Sequence, residues 1–276
     1  FISKRFKIPF YLDVRDIFID SVSNVLPFRM GFFLKPIFSF VESFQLRTAG
    51  RVNLVSAGFL PYFRARYPFQ KFDLFTNGID ESFLVKQSHR RFRRKTKRLV
   101  VTYAGNIGLG QGLDKIIPEL AENFEDKLVF KVIGDGGQKS KLIRAVEEKR
   151  CCNVVFFSPV KREELLEIYH SSDVLFLHLN HFDAFKRVLP SKIFEYAASG
   201  KPIWAGVDGY ARLFIKSKIE NAAVFPPCNV DEAIASFDRL VVQSTCRRGF
   251  IDEFSRLKIM RKMSDSLIRF GENARQ

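Results

Sequence analysis

The sequence predicts an open α/β architecture built on parallel sheets. Three observations point there. Short apolar runs alternate with amphipathic stretches, as crossover helices between parallel strands require. The glycine-rich turn Ala104-Gly-Asn-Ile-Gly-Leu-Gly-Gln-Gly112 follows an apolar run at 99–103 and leads into an apolar period at Leu113, Ile116, Ile117 and Leu120. The 276 residues are 46% apolar, enough for two modest cores or one large one.

In chain order, the first strand is expected at 10–14, where Phe-Tyr-Leu-Asp-Val follows a basic opening. Two more are expected at 52–56 and 72–75. Between the first two lies a Phe-rich stretch, with Phe28, Phe32, Phe33, Phe38, Phe40 and Phe44 around Arg29 and Lys35. Such interleaving suits a membrane surface, but a core helix would carry the same residues, and the core reading is preferred. Residues 86–98 read Lys-Gln-Ser-His-Arg-Arg-Phe-Arg-Arg-Lys-Thr-Lys-Arg, a poor core element and a good linker. The chain therefore divides into a partial first unit plus linker (1–95), a complete second unit (96–245) and a final helix (246–276). In the second unit, strands are expected at 99–103, 128–133, 154–157, 174–178, 202–205 and 222–225. Helices are expected at 139–149, 163–170, 191–199 and 231–240, with the last at 251–270. Pro118 should kink or restart the helix behind the glycine turn, because proline has no N–H to give an interior turn.

Charge bounds the partners. Lys and Arg number 45 against 30 Asp and Glu, a net +15 that favours anionic ligands. The cations are spread along the chain without a recognition motif, so nucleic acid is not an expected partner. Cys151, Cys152, Cys228 and Cys246 lack metal-ligand spacing and read as reduced thiols of a cytoplasmic protein. No run reaches the roughly 18 apolar residues of a membrane span, and no leader is visible in the basic opening. His178, His181 and Asp183 match no familiar ligand pattern, so no metal is expected.

Several stretches carry chemistry. Gly105, Gly108, Gly110 and Gly112 let backbone N–H groups close on a ligand, and a helix start behind them would favour a phosphate. After Gly108 and Gly110 the third fingerprint position is Leu113, which argues against a dinucleotide fold of the nicotinamide type. Ile133-Gly-Asp-Gly-Gly137 ends another strand and allows close approach to a base or sugar, or is a plain strand-to-helix turn. Ser158-Pro-Val160 leads into a helix and has the same two readings. In Leu189-Pro-Ser-Lys-Ile-Phe-Glu-Tyr196, Ser191 is expected to cap a short helix that Gly200 ends. Lys192 and Glu195 then share one face. Lysine in a first turn opposes the helix dipole, a cost that a bound anion would offset. Asp13, Arg15 and Asp16 close the first strand, where open sheets bind ligands, or form a structural ion pair.

Together these segments resemble the GT-B glycosyltransferases of family 4, especially those of bacterial surface polysaccharides. The resemblance runs from Asp13 to about Phe270. It rests on Leu12-Asp-Val-Arg-Asp16, Val55-Ser-Ala-Gly-Phe59, Asn77-Gly-Ile-Asp80, Tyr103-Ala-Gly-Asn-Ile107 with Gln111-Gly112, Ile133-Gly-Asp-Gly136, Pro190-Ser-Lys-Ile-Phe-Glu-Tyr196 and Gly200-Lys-Pro202.

The resemblance implies two facing Rossmann-like domains, an acceptor side first and a nucleotide-sugar side second, joined by a last helix that crosses back. It implies no metal and no cofactor beyond the UDP- or GDP-linked donor. The implied reaction transfers sugar to a hydroxyl with retention, in polysaccharide or glycolipid synthesis. A lipid-linked acceptor and contact with the anionic inner face of the cell membrane are expected. Lys192, Glu195 and Asp16 are the candidate catalytic residues, with Glu195 on the donor ribose. Gly105, Asn106, Gly108, Gln111, Gly134, Asp135, Gly136, Val160, Lys186, Pro190 and Ser191 complete the expected donor site with Lys192 and Glu195.

Three departures bear on this. Members carry about 80 to 100 residues before the Asp13 region, a size in keeping with a full Rossmann-like domain, so the chain reads as a fragment or as half of a split enzyme. Asn106 and Gln111 stand where many members place an arginine and a lysine. Of two glutamates usually eight apart, the first is Arg187 here. A GT-B sugar-nucleotide epimerase and a non-catalytic nucleotide-sugar-binding module are the alternatives.

Overall fold

The computed structural model describes residues 2–6, 8–17, 19, 28–84 and 98–273. The basic linker, apart from Arg98, lies outside them, as do the side chains of Phe28, Phe32 and Phe33.

The first sheet is small and parallel. It contains β1 (Tyr11–Val14), β2 (Arg51–Leu54) and β3 (Phe72–Asp73) in that order, with Leu12 opposite Val52 and Val52 opposite Phe72. After the short α1 (Ile2–Phe6), the crossover helices are α2 (Phe28–Thr48) and α3 (Leu60–Arg66). Leu46, Val52, Leu54, Phe59, Phe63 and Tyr67 form this unit's core.

The second sheet has six parallel strands: β4 (Leu99–Ala104), β5 (Leu128–Ile133), β6 (Val154–Phe157), β7 (Val174–His178), β8 (Ile203–Gly206) and β9 (Ala222–Phe225). Their order is β6-β5-β4-β7-β8-β9. All the expected strands are present, displaced by no more than two residues at either end. The connecting helices are α4 (Ile117–Asn123), α5 (Lys139–Glu148), α6 (Arg162–Ser171), α7 (Lys192–Ala198), α8 (Gly209–Lys218) and α9 (Val230–Phe237). Both faces are covered, so β7 is buried along its whole length. Alternation sends Ile203 and Ala205 into one core cluster and Trp204 into the other. The order reverses between β4 and β7, which leaves a crevice beyond their carboxyl ends.

Four expectations are corrected. The last helix is two, α10 (Arg248–Glu253) and α11 (Arg256–Asn273). The chain leaves helical geometry so that Ser255 can pair with Ile79, with Ile79 N–H donating to Phe254 O and Arg256 N–H to Ile79 O. Behind Gly112 comes a 3-10 turn at Leu113–Lys115 rather than an α-helix, and α4 starts only at Ile117, with Pro118 in its first turn. Ser191 is helical (φ −58°, ψ −29°) and its side chain does not cap α7. Gly200 does end that segment in the left-handed conformation, at φ +74°. Finally, Phe40 and Phe44 are not core residues. They lie with Ile37 and Val41 at spacings of three and four, one outward face of α2, and Phe40 is 71% exposed.

The two units meet at several points. Ser56 Oγ donates to Arg187 O at 2.6 Å, and the Arg187 guanidinium lies over the Tyr62 ring. Asp80 binds Arg162 at 2.9 Å and Arg256 at 2.7 Å. The end of α11 returns to the first sheet, where Phe270 packs on Tyr11 and Ser266 donates to Asp73.

Candidate functional site

The site is built where β4 and β5 end, on Ala104 and Ile133. The chain then turns through glycines in backbone states that side chains disfavour: Gly105 at φ +150°, Gly134 at +143° and Gly136 at +151°. The two turns pack main chain on main chain. Gly105 N–H donates to Ile133 O at 2.8 Å and Ile107 N–H to Asp135 O at 2.7 Å. A Cβ at Gly134 would overlap the Gly105 carbonyl.

This double turn floors a cleft of about 320 Å³ lined by Gly105, Asn106, Gly134, Asp135, Val160 and Lys192. These are six of the expected donor-site residues, brought together from three strand ends and a helix start. Gly136 lies in the same turn, its missing Cβ space filled by Asn106 and Ile107.

Lys192 opens α7, and its ammonium rests where a Cβ on Gly105 would stand. Among the described residues it has no hydrogen-bond or ion-pair partner. Burial pulls its pKa below the ordinary lysine value, with the Glu195 carboxylate acting in the opposite sense. Glu195 follows one turn later and accepts a long hydrogen bond from the buried Tyr169 hydroxyl at 3.5 Å. Burial raises the Glu195 pKa, against the pull of Lys192 and Arg162. The arrangement leaves a positive charge facing open space in a partly dry pocket, beside backbone that nothing else can approach as closely. That is a receptor for an anion.

The glycine turn is held from below. Gln111 Oε1 accepts from Gly108 N–H at 3.1 Å and from Asn106 Nδ2 at 3.2 Å, so these three expected residues form one loop network. The Gln111 carbonyl meets Nδ1 of the fully buried His178 at 2.6 Å, while Cys228 N–H donates to Nε2 at 3.0 Å. An N–H can only donate, so Nε2 is the acceptor and Nδ1 carries the proton. The ring is neutral, and burial pulls its pKa down to about 4. Both nitrogens are engaged within the fold, and among the described residues no group of three or more His, Cys, Asp or Glu is placed to hold a metal. His178 as a support of the loop was missed in the sequence; a polar residue closing a strand of apolar ones was the available signal. Tyr169 gave none.

Other expected residues lie elsewhere. Lys186 is exposed on the 3-10 turn Asp183–Arg187, ion-paired with Asp183 at 2.7 Å. Pro190 and Ser191 start α7 through their carbonyls, which accept from Ile193 and Phe194 N–H. Asp16 sits on the exposed exit of β1, and among the described residues no bond joins it to Lys192 or Glu195. Its neighbour Asp13 takes the structural role, bound by Asn53 at 2.8 Å and Arg15 at 3.1 Å.

Solved structures share this fold at low identity. Sucrose-phosphate synthase from Thermosynechococcus elongatus superimposes with a TM-score of 0.73 at 14% identity, covering 97% of this chain and 69% of that one. Anabaena Alr3699/HepE, solved with UDP and glucose, gives 0.69 at 15% identity, covering 96% and 73%. WcaI of Escherichia coli (strain K12), assigned as a colanic acid biosynthesis glycosyl transferase, is 30% identical over 115 residues, 41% of this chain. The match spans 28% of that relative's length. Residues 85–253, more than half of the chain, match the family model of glycosyl transferases group 1. The chain belongs to the glycosyl transferases group 1 family, on a GT-B-like fold.

Proposed function

We infer that this chain binds a nucleoside-diphosphate sugar, UDP- or GDP-linked, in the cleft under Lys192 and moves its sugar to a hydroxyl acceptor with retention of configuration. The observation that carries this is the unpartnered Lys192 ammonium over the Gly105 turn. Negative charge builds on the departing diphosphate, and a preplaced cation in a low-dielectric pocket lowers that barrier without reorganising. Glycines 105, 134 and 136 let the phosphates or sugar approach main chain. Glu195, on the same face of α7, is the acceptor we assign to the ribose diol. No step calls for a metal.

The assignment to cell-surface polysaccharide or glycolipid synthesis draws on the WcaI likeness. The outward apolar face of α2 supports a lipid-linked acceptor and peripheral contact with an anionic membrane. No helix among the described residues is long and apolar enough to cross one.

The test is calorimetry with UDP and GDP on the chain and on its Lys192→Ala variant. A nucleotide that binds the parent and loses at least tenfold in affinity on the variant supports the reading; equal binding overturns it. For retention, the anomeric signals of the transfer product decide.

A further inference from the structure

β9 is the last strand of the six-stranded sheet and, among the described residues, pairs only with β8. Asn221 O and Phe225 O accept from Ile203 and Val207 N–H, so the odd residues of this segment face β8. By the alternation of a parallel ladder, the N–H and C=O groups of Ala222 and Val224 point away from the sheet. Among the described residues they have no hydrogen-bond partner.

This edge lies at the bottom of a groove of about 380 Å³, lined by Ala222, Ala223 and Val224 and walled by charge. Arg212 and Lys216, one turn apart on α8, stand on one side; Arg239, just past α9, stands on the other with Glu232. The two helices cover opposite faces of the sheet, because Ala211 and Ile215 belong to one core cluster and Ala233 to the other. None of the three cations has an ion pair among the described residues. Ala222 is half-buried with a small side chain, and Ala223 and Val224 form the groove floor, 4% and 7% exposed.

We propose that the open edge of β9 docks an extended acidic segment of a partner polypeptide, which adds to the sheet as a further strand. Main-chain bonds to Ala222 and Val224 would supply its alignment. Carboxylates on adjacent residues would fall on opposite faces and meet Arg212 and Lys216 on one and Arg239 on the other. Charge complementarity selects the occupant: a basic segment, such as most of this +15 chain could offer, is repelled. The site is remote from the Lys192 cleft and independent of what that cleft binds.

The test uses the full chain and a fluorescent ten-residue peptide of Glu-Glu pairs separated by single Val residues, which carries Glu on both faces of a strand, its Lys-for-Glu counterpart, and inorganic polyphosphate. The Glu peptide is expected to bind and to slow amide hydrogen exchange at Ala222 and Val224, whereas the Lys peptide should not bind. The R212S/K216S/R239S variant, with all three positions at the groove walls, should weaken binding at least tenfold while UDP affinity stays unchanged. A Lys216→Glu variant gives the same reading with a single surface change. Two results overturn the proposal. If the Glu peptide fails to bind, the cations only guard the edge against pairing. If polyphosphate competes fully and the Glu peptide leaves both amides unprotected, the groove is a simple anion patch.

Discussion

His178 Nδ1 lies 2.6 Å from the carbonyl of Gln111, and through it a buried side chain of β7 fixes the glycine turn that floors the cleft. On the other side of the ring, the bond from Cys228 N–H to Nε2 requires the neutral form. An unfolded histidine titrates near 6.5 and this one at about 4. Between those values the unfolded chain takes up the proton, so the contribution is complete above pH 6.5 and is lost as pH falls through 4. It amounts to about 3 kcal/mol at most. Denaturant midpoints measured from pH 7 to pH 4 should fall in the parent. In His178→Gln this acid-induced component should disappear, and nucleotide affinity should drop several-fold.

Lys192 opposes stability and serves binding. Its ammonium is largely buried without a hydrogen-bond partner and feels only the Glu195 carboxylate one turn away, so Lys192→Met removes a poorly compensated charge from the fold. Thermal unfolding of that variant should occur at or above the parent temperature while UDP affinity falls at least tenfold. A fall in both would identify the lysine as a structural residue.

Gly134 cannot carry a side chain. At φ +143° with a Cβ overlapping the Gly105 carbonyl, Gly134→Ala should cost roughly 3 kcal/mol and lower Tm by several degrees. Gly137, with open space around its Cα, is the control, and Gly137→Ala should leave Tm within a degree or two.

Arg247 is buried and its guanidinium donates to the carbonyls of Ala197, Lys201, Glu220 and Asn221. It ties the end of α7 to the approach of β9, and burial pushes its pKa down to about 10. Arg247→Ala strands those carbonyls and should cost about 3 kcal/mol by urea unfolding. Arg247→Lys, which cannot fork across four acceptors, should recover only part of that.

Asp80 joins the units through Arg162 and Arg256. Both arginines are well exposed, so the coupling is modest: a double-mutant cycle of Asp80→Ala with Arg256→Ala should give about 1 kcal/mol, shrinking as salt is raised.

The sheets were legible because parallel strands buried on both faces announce themselves as apolar runs; β7 and β5 are the clearest. The glycine turns were legible because positive φ leaves few other residues possible. What escaped depended on distant partners. The break between α10 and α11 follows from Ile79, far away in sequence, and nothing near Ser255 signals it. Phe40 and Phe44 read as core because periodicity shows that a face exists and not which way it turns. Among site residues, Lys192 and the Gly105 turn were found by motif and then met in space. Lys186 was assigned by charge alone, and its own neighbour Asp183 claims that charge.

The contact of Phe270 with Tyr11 and Gly50 gives the molecule an order of assembly. β1 to β3 are covered by α11, which follows the six-stranded sheet in sequence. During synthesis that sheet has its strands before α11 leaves the ribosome, whereas the three-stranded sheet waits for it, partly bare. The sheet translated earlier is therefore the later of the two to be sealed.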